Sequence, residues 1–282
     1  MKRMKMSLVV AFAAIMSAAM VTSCSQEEVN PVNGNAIPES TKTQLSDLGF
    51  DISDLTVVDY NNPLNGESGK RFKLEGDIII SQDEINEMLA GPIAQAPMAE
   101  QYRTNNLVNG LPRTISVIGY TGSGYALTNN MRTGLQYAIN NYNALNTGLT
   151  FTVSFAASTS ADIVVYNNGQ SGGGGSAGFP SGGNPYKWVQ INNGTSSLGN
   201  QVCEHVITHE IGHCLGLRHT DYFNRSYSCG SGGNEGDGGV GAVHIPGTPT
   251  SYDSESIMLA CFSTGTDGEF SSNDRKALEY LY

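Results

Sequence analysis

The sequence predicts an α+β fold. Short β-branched or alternating segments and amphipathic helical segments follow one another from about residue 101 onward, with Gly- and Asn-rich stretches between them. One of the helices, Asn200 to Leu215, carries a dense run of histidines, and a smaller set of elements precedes this region.

From the N-terminus, Lys2, Arg3 and Lys5 precede an apolar run from Ser7 to Met20 that is too short to span a bilayer. Residues 1–23 therefore read as a signal peptide. Val21-Thr22-Ser23-Cys24 is similar to a bacterial lipobox, which makes Cys24 the expected lipidation site and the protein an exported lipoprotein. Ser25 is not the aspartate associated with inner-membrane retention, and Gln26-Glu27-Glu28 follows, so the expected address is the outer membrane or cell surface, with later release left open. The only membrane contact expected is that N-terminal lipid anchor.

Residues 24–100 read as a tether followed by a small pro-like segment. Ser25 to Ser40 is polar and carries Pro31 and Pro38. A short helix is expected over Gln44 to Phe50, ending near Gly49, and a strand over Phe72 to Ile80. Ser81 with Glu84 three residues on spells a capping box opening a helix to Leu89. Ala90 to Pro97 reads as a linker, which places a boundary near residue 100.

Residues 101–282 form the main domain. Strands are expected at Thr114 to Tyr120, Leu149 to Phe155, Asp162 to Tyr166 and Tyr186 to Ile191. Met131, Leu135, Ala138 and Tyr142 lie at helical spacing over Asn130 to Tyr142. Ser171 to Asn184 is a Gly-rich loop without the Lys-Ser/Thr of a phosphate-binding loop. Asn273 to Tyr282 reads as a closing helix. Between Asp221 and Val243 no period is visible. Glu235 and Asp237 are candidate Ca²⁺ ligands there, although their spacing is not that of an EF-hand.

The histidine run is His209-Glu210-Ile211-Gly212-His213-Cys214-Leu215-Gly216-Leu217-Arg218-His219. On a helix, His209 and His213 share a face, and Glu210 is turned about 100° away, beside a bound ion rather than on it. Gly216 allows a sharp turn that returns His219 as a third ligand. Three neutral imidazoles around one Zn²⁺ leave a fourth position for water, the arrangement of a catalytic site. In that reading Glu210 is the general base. His205, one turn earlier, is displaced along the helix, and a surface or hydrogen-bonding role is expected for it. Asp221 is a candidate acceptor for an imidazole N–H. His244 has no ligand spacing.

The motif resembles that of the metzincin zinc endopeptidases, and the wording HEIGHCLGLRHTD is similar to the bacterial dual-action HEIGH metallopeptidases. His244-Ile245-Pro246-Gly247-Thr248-Pro249 and the closing run from Phe270 to Tyr282 resemble the same family. The likeness covers Asn200 to Tyr282 closely and the chain from about Leu107 more loosely. It implies a zincin-like domain with a mixed twisted sheet, an active-site helix and a Met-turn at Ser256-Ile257-Met258, with Met258 as an apolar floor under the imidazoles. It also implies a protein or peptide substrate. By the same likeness, Tyr186 to Asn192 is either the edge strand that pairs with substrate or a strand buried in the sheet. Astacins and serralysins carry a tyrosine two residues after the Met; this chain has Ala260. Leu74-Glu75-Gly76-Asp77-Ile78 is similar to the F-x-G-D element of astacin propeptides, with Leu74 in place of Phe, which makes Asp77 a candidate latent ligand. No Cys lies between Cys24 and Cys203, so a cysteine switch is excluded.

The net charge of −11 and the lack of a basic run interleaved with aromatics argue against nucleic acid and anionic membrane surfaces as partners. A monomer is expected. Apart from Cys24 there are four cysteines, an even number that suggests two disulfides in an exported protein. Cys203 and Cys214 are about 16 Å apart on one helix and cannot pair. The expected bridges are Cys203–Cys261 and Cys214–Cys229, with the swapped pairing open. The alternative to an enzyme is a catalytically silent, surface-anchored zinc-binding adhesion or interaction module. The intact Glu210 and three histidines weigh against it.

Overall fold

The computed structural model describes residues 36–48, 50–90, 101–233, 243–249 and 252–282. The signal peptide, Cys24, the linker with the boundary near residue 100, and the Glu235–Asp237 pair lie outside the described residues. Residues 34–282 belong to one compact unit.

The N-terminal part contains α1 (Glu39–Asp47), β1 (Thr56–Asn61), β2 (Ser68–Leu74), β3 (Ile78–Ile80) and α2 (Gln82–Ala90). Its three strands form an antiparallel meander in chain order. The single strand expected over Phe72 to Ile80 is instead two strands joined by a turn at residues 75–77. Glu75 makes that turn with φ 54°, the one non-glycine residue with positive φ among those described. The capping box at α2 is present: Glu84 Oε2 accepts from the Ser81 N–H at 2.7 Å, and the Glu84 N–H donates to Ser81 Oγ at 3.2 Å. Leu45, Leu48, Phe50, Phe72, Leu74, Ile78, Ile80, Ile85 and Met88 form one apolar cluster. Among the described residues, its sole buried member from the rest of the chain is Phe179.

The remaining elements are β4 (Tyr102–Arg103), β5 (Arg113–Tyr120), α3 (Asn129–Asn143), β6 (Leu149–Ala156), β7 (Ile163–Asn167), β8 (Gly175–Ser176), β9 (Trp188–Ile191), α4 (Asn200–Leu215), α5 (Ser226–Cys229), β10 (Val243–His244) and α6 (Ser272–Leu281). A five-stranded mixed sheet runs in the order β6-β5-β7-β9-β8, parallel except for β8 at its edge. This decides the role of Tyr186 to Asn192. β9 lies inside the sheet, all four of its residues are buried, and the edge strand comes from the Gly-rich loop.

α3 and α4 join the sheet in the main core. Met131, Leu135, Ala138 and Tyr142 of α3 are buried at helical spacing, as the sequence predicts. Burying an aliphatic or aromatic side chain contributes roughly 1.5–3 kcal/mol. α4 is buried on every side from Val202 to Leu215, so its polar groups need partners inside the protein. The Tyr142 hydroxyl donates to Thr208 O at 2.8 Å, and Asn141 Nδ2 donates to Glu204 Oε1 at 2.9 Å.

Glu204, 4% exposed, has its carboxyl pushed up to about 7, by burial first and by Asp267 and Glu269 in support. A carboxyl raised above its unfolded value stabilises the fold while protonated, and that contribution is lost as pH rises through about 7. Glu204→Gln keeps the acceptor for Asn141 and removes the charge. Chemical denaturation should show the variant more stable than wild type above pH 7, by about 1–3 kcal/mol. The gap should vanish below about pH 4.5.

Candidate metal centre

The site begins with the end of α4. Gly216 ends the helix in the left-handed conformation, φ 101°, and a Cβ there would lie 2.9 Å from Asn106 O. Only glycine meets both demands. The chain then reverses, and the Leu217 N–H donates back to Gly212 O at 2.9 Å, which returns His219 to the helix face that carries His209 and His213. The three ring centroids stand 4.6, 5.3 and 5.0 Å apart, and all three side chains are buried.

Two rings have their protons assigned by their partners. His209 Nδ1 is 2.8 Å from Ile257 O, and His213 Nδ1 is 2.8 Å from Leu217 O. A carbonyl oxygen can only accept, so both Nδ1 atoms carry the proton and both Nε2 atoms present a lone pair. Those two Nε2 atoms are 2.9 Å apart. Two lone pairs facing at that distance would repel, so a proton or a metal ion must lie between them.

Asp77 completes the cluster. Its Oδ2 is 3.3 Å from His209 Nε2 and from His219 Nε2, and its Oδ1 is 3.8 Å from His213 Nε2. One ligand atom from each of the four residues lies within 4.8 Å of all the others. Burial alone would raise the Asp77 carboxyl, but His219, His209 and His213 outweigh it and hold the group well below the usual range. Nitrogen and carboxylate donors of this kind, converged and largely sequestered from water, suit Zn²⁺.

Glu210 is buried beside the cluster, and burial, reinforced by Asp77, pushes its carboxyl well above the usual range. It fits because its neighbour on β8 has no side chain: a Cβ on Gly175 would meet Glu210 Oε1 at 2.8 Å and Gln190 O at 2.7 Å. A cleft of about 660 Å³ opens here, lined by His209, Glu210, Gly175, His205, Phe262 and Asp77 among others.

Residues 77–79 of the N-terminal part lie along the sheet edge. Ile78 bridges Ala177 in parallel, the Ile79 N–H donates to Ala177 O at 3.1 Å, and the Ala177 N–H donates to Asp77 O at 3.3 Å. Glu75 and Arg218 form a fully buried ion pair, and Glu75 Oε2 is 3.6 Å from His219 Nδ1. The sequence gives no role to this pair. Its only trace is an acid and a base lying within two residues of the candidate ligands Asp77 and His219.

The other residues singled out from the sequence separate clearly. His205 Nδ1 is 2.7 Å from Thr266 Oγ1, and its ring packs on Phe262, a hydrogen-bonding role as expected. His244 Nε2 is 3.1 Å from Thr248 Oγ1. Asp221 accepts from the Ala260 N–H at 2.9 Å and from the Ser228 hydroxyl, and among the described residues no imidazole donates to it. Met258 is buried against α4, where a Cβ on Gly212 would fall 2.6 Å from its sulfur.

The disulfide expectation is corrected. Cys229 is bonded to Cys261, Cα–Cα 5.1 Å, and Cys203 and Cys214 are free and buried. The Cys261 N–H donates to Ser228 Oγ at 3.1 Å, which sets the two bridged residues side by side. Cys203 and Cys214 serve instead as small apolar groups of the buried helix. The step that failed was the assumption that an even number of cysteines must all pair.

Three buried imidazoles, two with carbonyl-fixed tautomers, beside a buried carboxyl make a donor set that fits a metal ion. The model of the dual-action HEIGH metallopeptidase family matches residues 72–282, and the chain belongs to that family. It is a metallopeptidase. No curated protein matches. Among solved structures, "Structure of myroilysin" is similar at 22% identity, covering 61% of this chain and 93% of that one, TM-score 0.37. "Crystal structure of myroilysin" is similar at 18% identity, covering 69% and 92%, TM-score 0.39. Likenesses of this strength add nothing to the family assignment.

Closing a loop between residues 32 apart should stabilise the fold by about 3–4 kcal/mol. Cys229→Ser and Cys261→Ser should therefore lower the unfolding free energy by that amount. Cys203→Ser should leave the disulfide intact on peptide mapping; loss of the bridge in that variant would restore the original pairing.

Proposed function

We propose that the protein is an exported zinc endopeptidase whose N-terminal segment holds the site closed. The observation that carries this is the pair of carbonyl-locked rings of His209 and His213 with their Nε2 lone pairs 2.9 Å apart. His209, His213 and His219 would hold the ion, and Met258 would pack beneath them as the floor of a Met-turn. Bound there, zinc supplies a water of pKa near 7 and a Lewis acid for the scissile carbonyl.

Glu210 is the general base in this reading. Its carboxylate, buried beside the three imidazoles, would take a proton from the attacking water and return it to the leaving amine. The backbone of β8 and Ala177 offers the extended substrate a strand edge beside Glu210. Asp77 would take the place of that water as a further ligand. Its carboxylate caps the three imidazoles, and the pairing of residues 77 and 79 with Ala177 takes the strand edge as well. Displacement or removal of the segment would free both. Lipidation at Cys24 and an oxidising location belong to the same proposal, which the Cys229–Cys261 bridge supports.

Glu210→Gln should reduce kcat by at least about a hundredfold, within the range a general base contributes, while the zinc content measured by atomic absorption stays at that of wild type. A variant that still cleaves peptides at the wild-type rate would remove Glu210 from the mechanism. Asp77→Ala in the full-length chain should cleave a peptide library faster than wild type, and a chelator should stop it. No gain in that variant would end the lock reading while leaving the peptidase reading in place.

A further inference from the structure

Beyond the three imidazoles the cleft continues along α4. His205 and Val206 stand one turn before His209 and Glu210, on the same helix face, and all four line the cleft. Leu259 to Phe262, the chain just after Met258, line it too. That stretch is tied in place: Cys261 is bridged to Cys229, and the Ala260 N–H donates to Asp221. Phe262 packs on the His205 ring with centroids 5.5 Å apart, and a Cβ on Gly173 would come 3.4 Å from the Phe262 ring. This end of the cleft is therefore apolar around one imidazole.

His205 is 6% exposed, and the two edges of its ring differ. Nδ1 is 2.7 Å from Thr266 Oγ1, and Thr266 is not part of the cleft lining, so that edge points away from the cleft. The opposite edge carries Nε2, which is buried and has no hydrogen-bond partner. Buried polar atoms are nearly always paired, so an orphan nitrogen on a cleft wall calls for an external partner. An apolar residue would pack on Phe262 without the cost of that unpaired atom. Burial, with His209 in support, lowers the His205 pKa to about 3, so the ring is neutral. A neutral ring offers one N–H and one lone pair, and the Thr266 hydroxyl can donate or accept. Nε2 can therefore meet a donor or an acceptor, but it brings no charge to a carboxylate.

We infer that His205 is a specificity-determining residue, whose Nε2 recognises an uncharged hydrogen-bonding side chain of the substrate, an amide or a hydroxyl, lodged against Phe262 and α4 beside the scissile bond. This deepens the peptidase reading above, on which it rests, by adding the substrate class. Selection works chiefly by rejection. An aliphatic side chain of the same size leaves Nε2 unpaired, and a site built to hydrogen-bond discriminates against the analogue that cannot. A carboxylate brings a second negative charge into the cleft with Glu210, and the neutral ring does not balance it.

The test uses zinc-loaded full-length protein carrying Asp77→Ala. Matched peptides place Gln, Met or Glu in turn at each position flanking one scissile bond. At one position, kcat/KM for the Gln peptide should exceed that for the Met peptide by at least about tenfold, with Glu below Gln. Adding His205→Phe, which keeps a ring against Phe262, should bring the Gln-to-Met ratio to about one. Cleavage with no such preference, or a preference that survives His205→Phe, would overturn the site. So would an equal loss for every peptide in that variant, which is what a purely structural histidine gives.

A spectroscopic arm covers variants that fail to fold or to cleave. The chain has five histidines, so isotope labelling can resolve the imidazole nitrogens one by one. In zinc-loaded Asp77→Ala protein, with Glu210→Gln added to slow turnover, the Gln peptide should shift Nε2 of His205 and the Met peptide should not. No shift with any peptide, the outcome if a buried water alone satisfies Nε2, would refute the inference, as would equal shifts with both. A selective shift with the Gln peptide, but no cleavage by any zinc-loaded protein that retains Glu210, would overturn the peptidase reading and leave the binding site standing.

Discussion

The structure depends on the fixed direction of two imidazole lone pairs. His209 and His213 do not choose their tautomers; Ile257 O and Leu217 O choose for them. The second carbonyl is local, supplied by the turn that Gly216 permits. The first comes from 48 residues away, and its position is secured by a chain of bonds. The Ile257 N–H donates to Asp274 Oδ2 at 2.8 Å, the Ser256 hydroxyl to Asp274 Oδ1 at 2.7 Å, and Gln101 Nε2 to the same oxygen at 3.0 Å. Asp274 also completes the capping box of α6. The C-terminal helix thus opens with a carboxylate that holds the peptide that orients His209. That is a physical reason for a closing helix to belong to the catalytic unit.

Charge explains how the N-terminal segment attaches. Its apolar cluster meets the rest of the protein through one buried aromatic, Phe179, which packs edge-on against His213 at 5.5 Å and stacks on Phe50 at 5.8 Å. So narrow an apolar bridge is a small part of the contact. Asp51, Asp54, Glu75 and Asp77 face Arg225, Arg218 and the imidazoles, Glu87 accepts from Ser181 and Gly182, and residues 77 and 79 pair with the backbone of Ala177. Contacts of this kind are strong while dry and weaken when water enters, so a segment held by them can be firm in place and still removable.

Much of this was legible in the sequence, and for stated reasons. α4, α3, the sheet strands and the α2 capping box follow from periodicity and cap chemistry, and the structure places their ends within two or three residues. The convergence of Asp77 on the histidines was legible only through a short motif likeness. Three features were not. The hairpin turn at Glu75 hides inside an apolar alternation, because its left-handed residue is not a glycine. The edge strand hides in a Gly-rich run that carries no β-propensity. The cysteine pairing depends on loop packing around Ser228 that no spacing encodes.

The edge strand shows why composition misled there. β8 is Gly175-Ser176, a sequence with little preference for extended backbone. Its conformation is imposed by β9, with Ser176 opposite Gln190 and Gly175 opposite Ile191. The absence of a side chain at Gly175 is imposed from the other side, by Glu210. A strand with a β-branched residue at that position would be a better strand and would displace Glu210. The same two residues must therefore be poor in local propensity, because they offer the cleft an open backbone edge while leaving room for a carboxylate. Where a site sets such a demand, tertiary pairing supplies the strand that propensity does not, and a glycine-rich stretch beside a metal motif is a candidate edge rather than a mere connection.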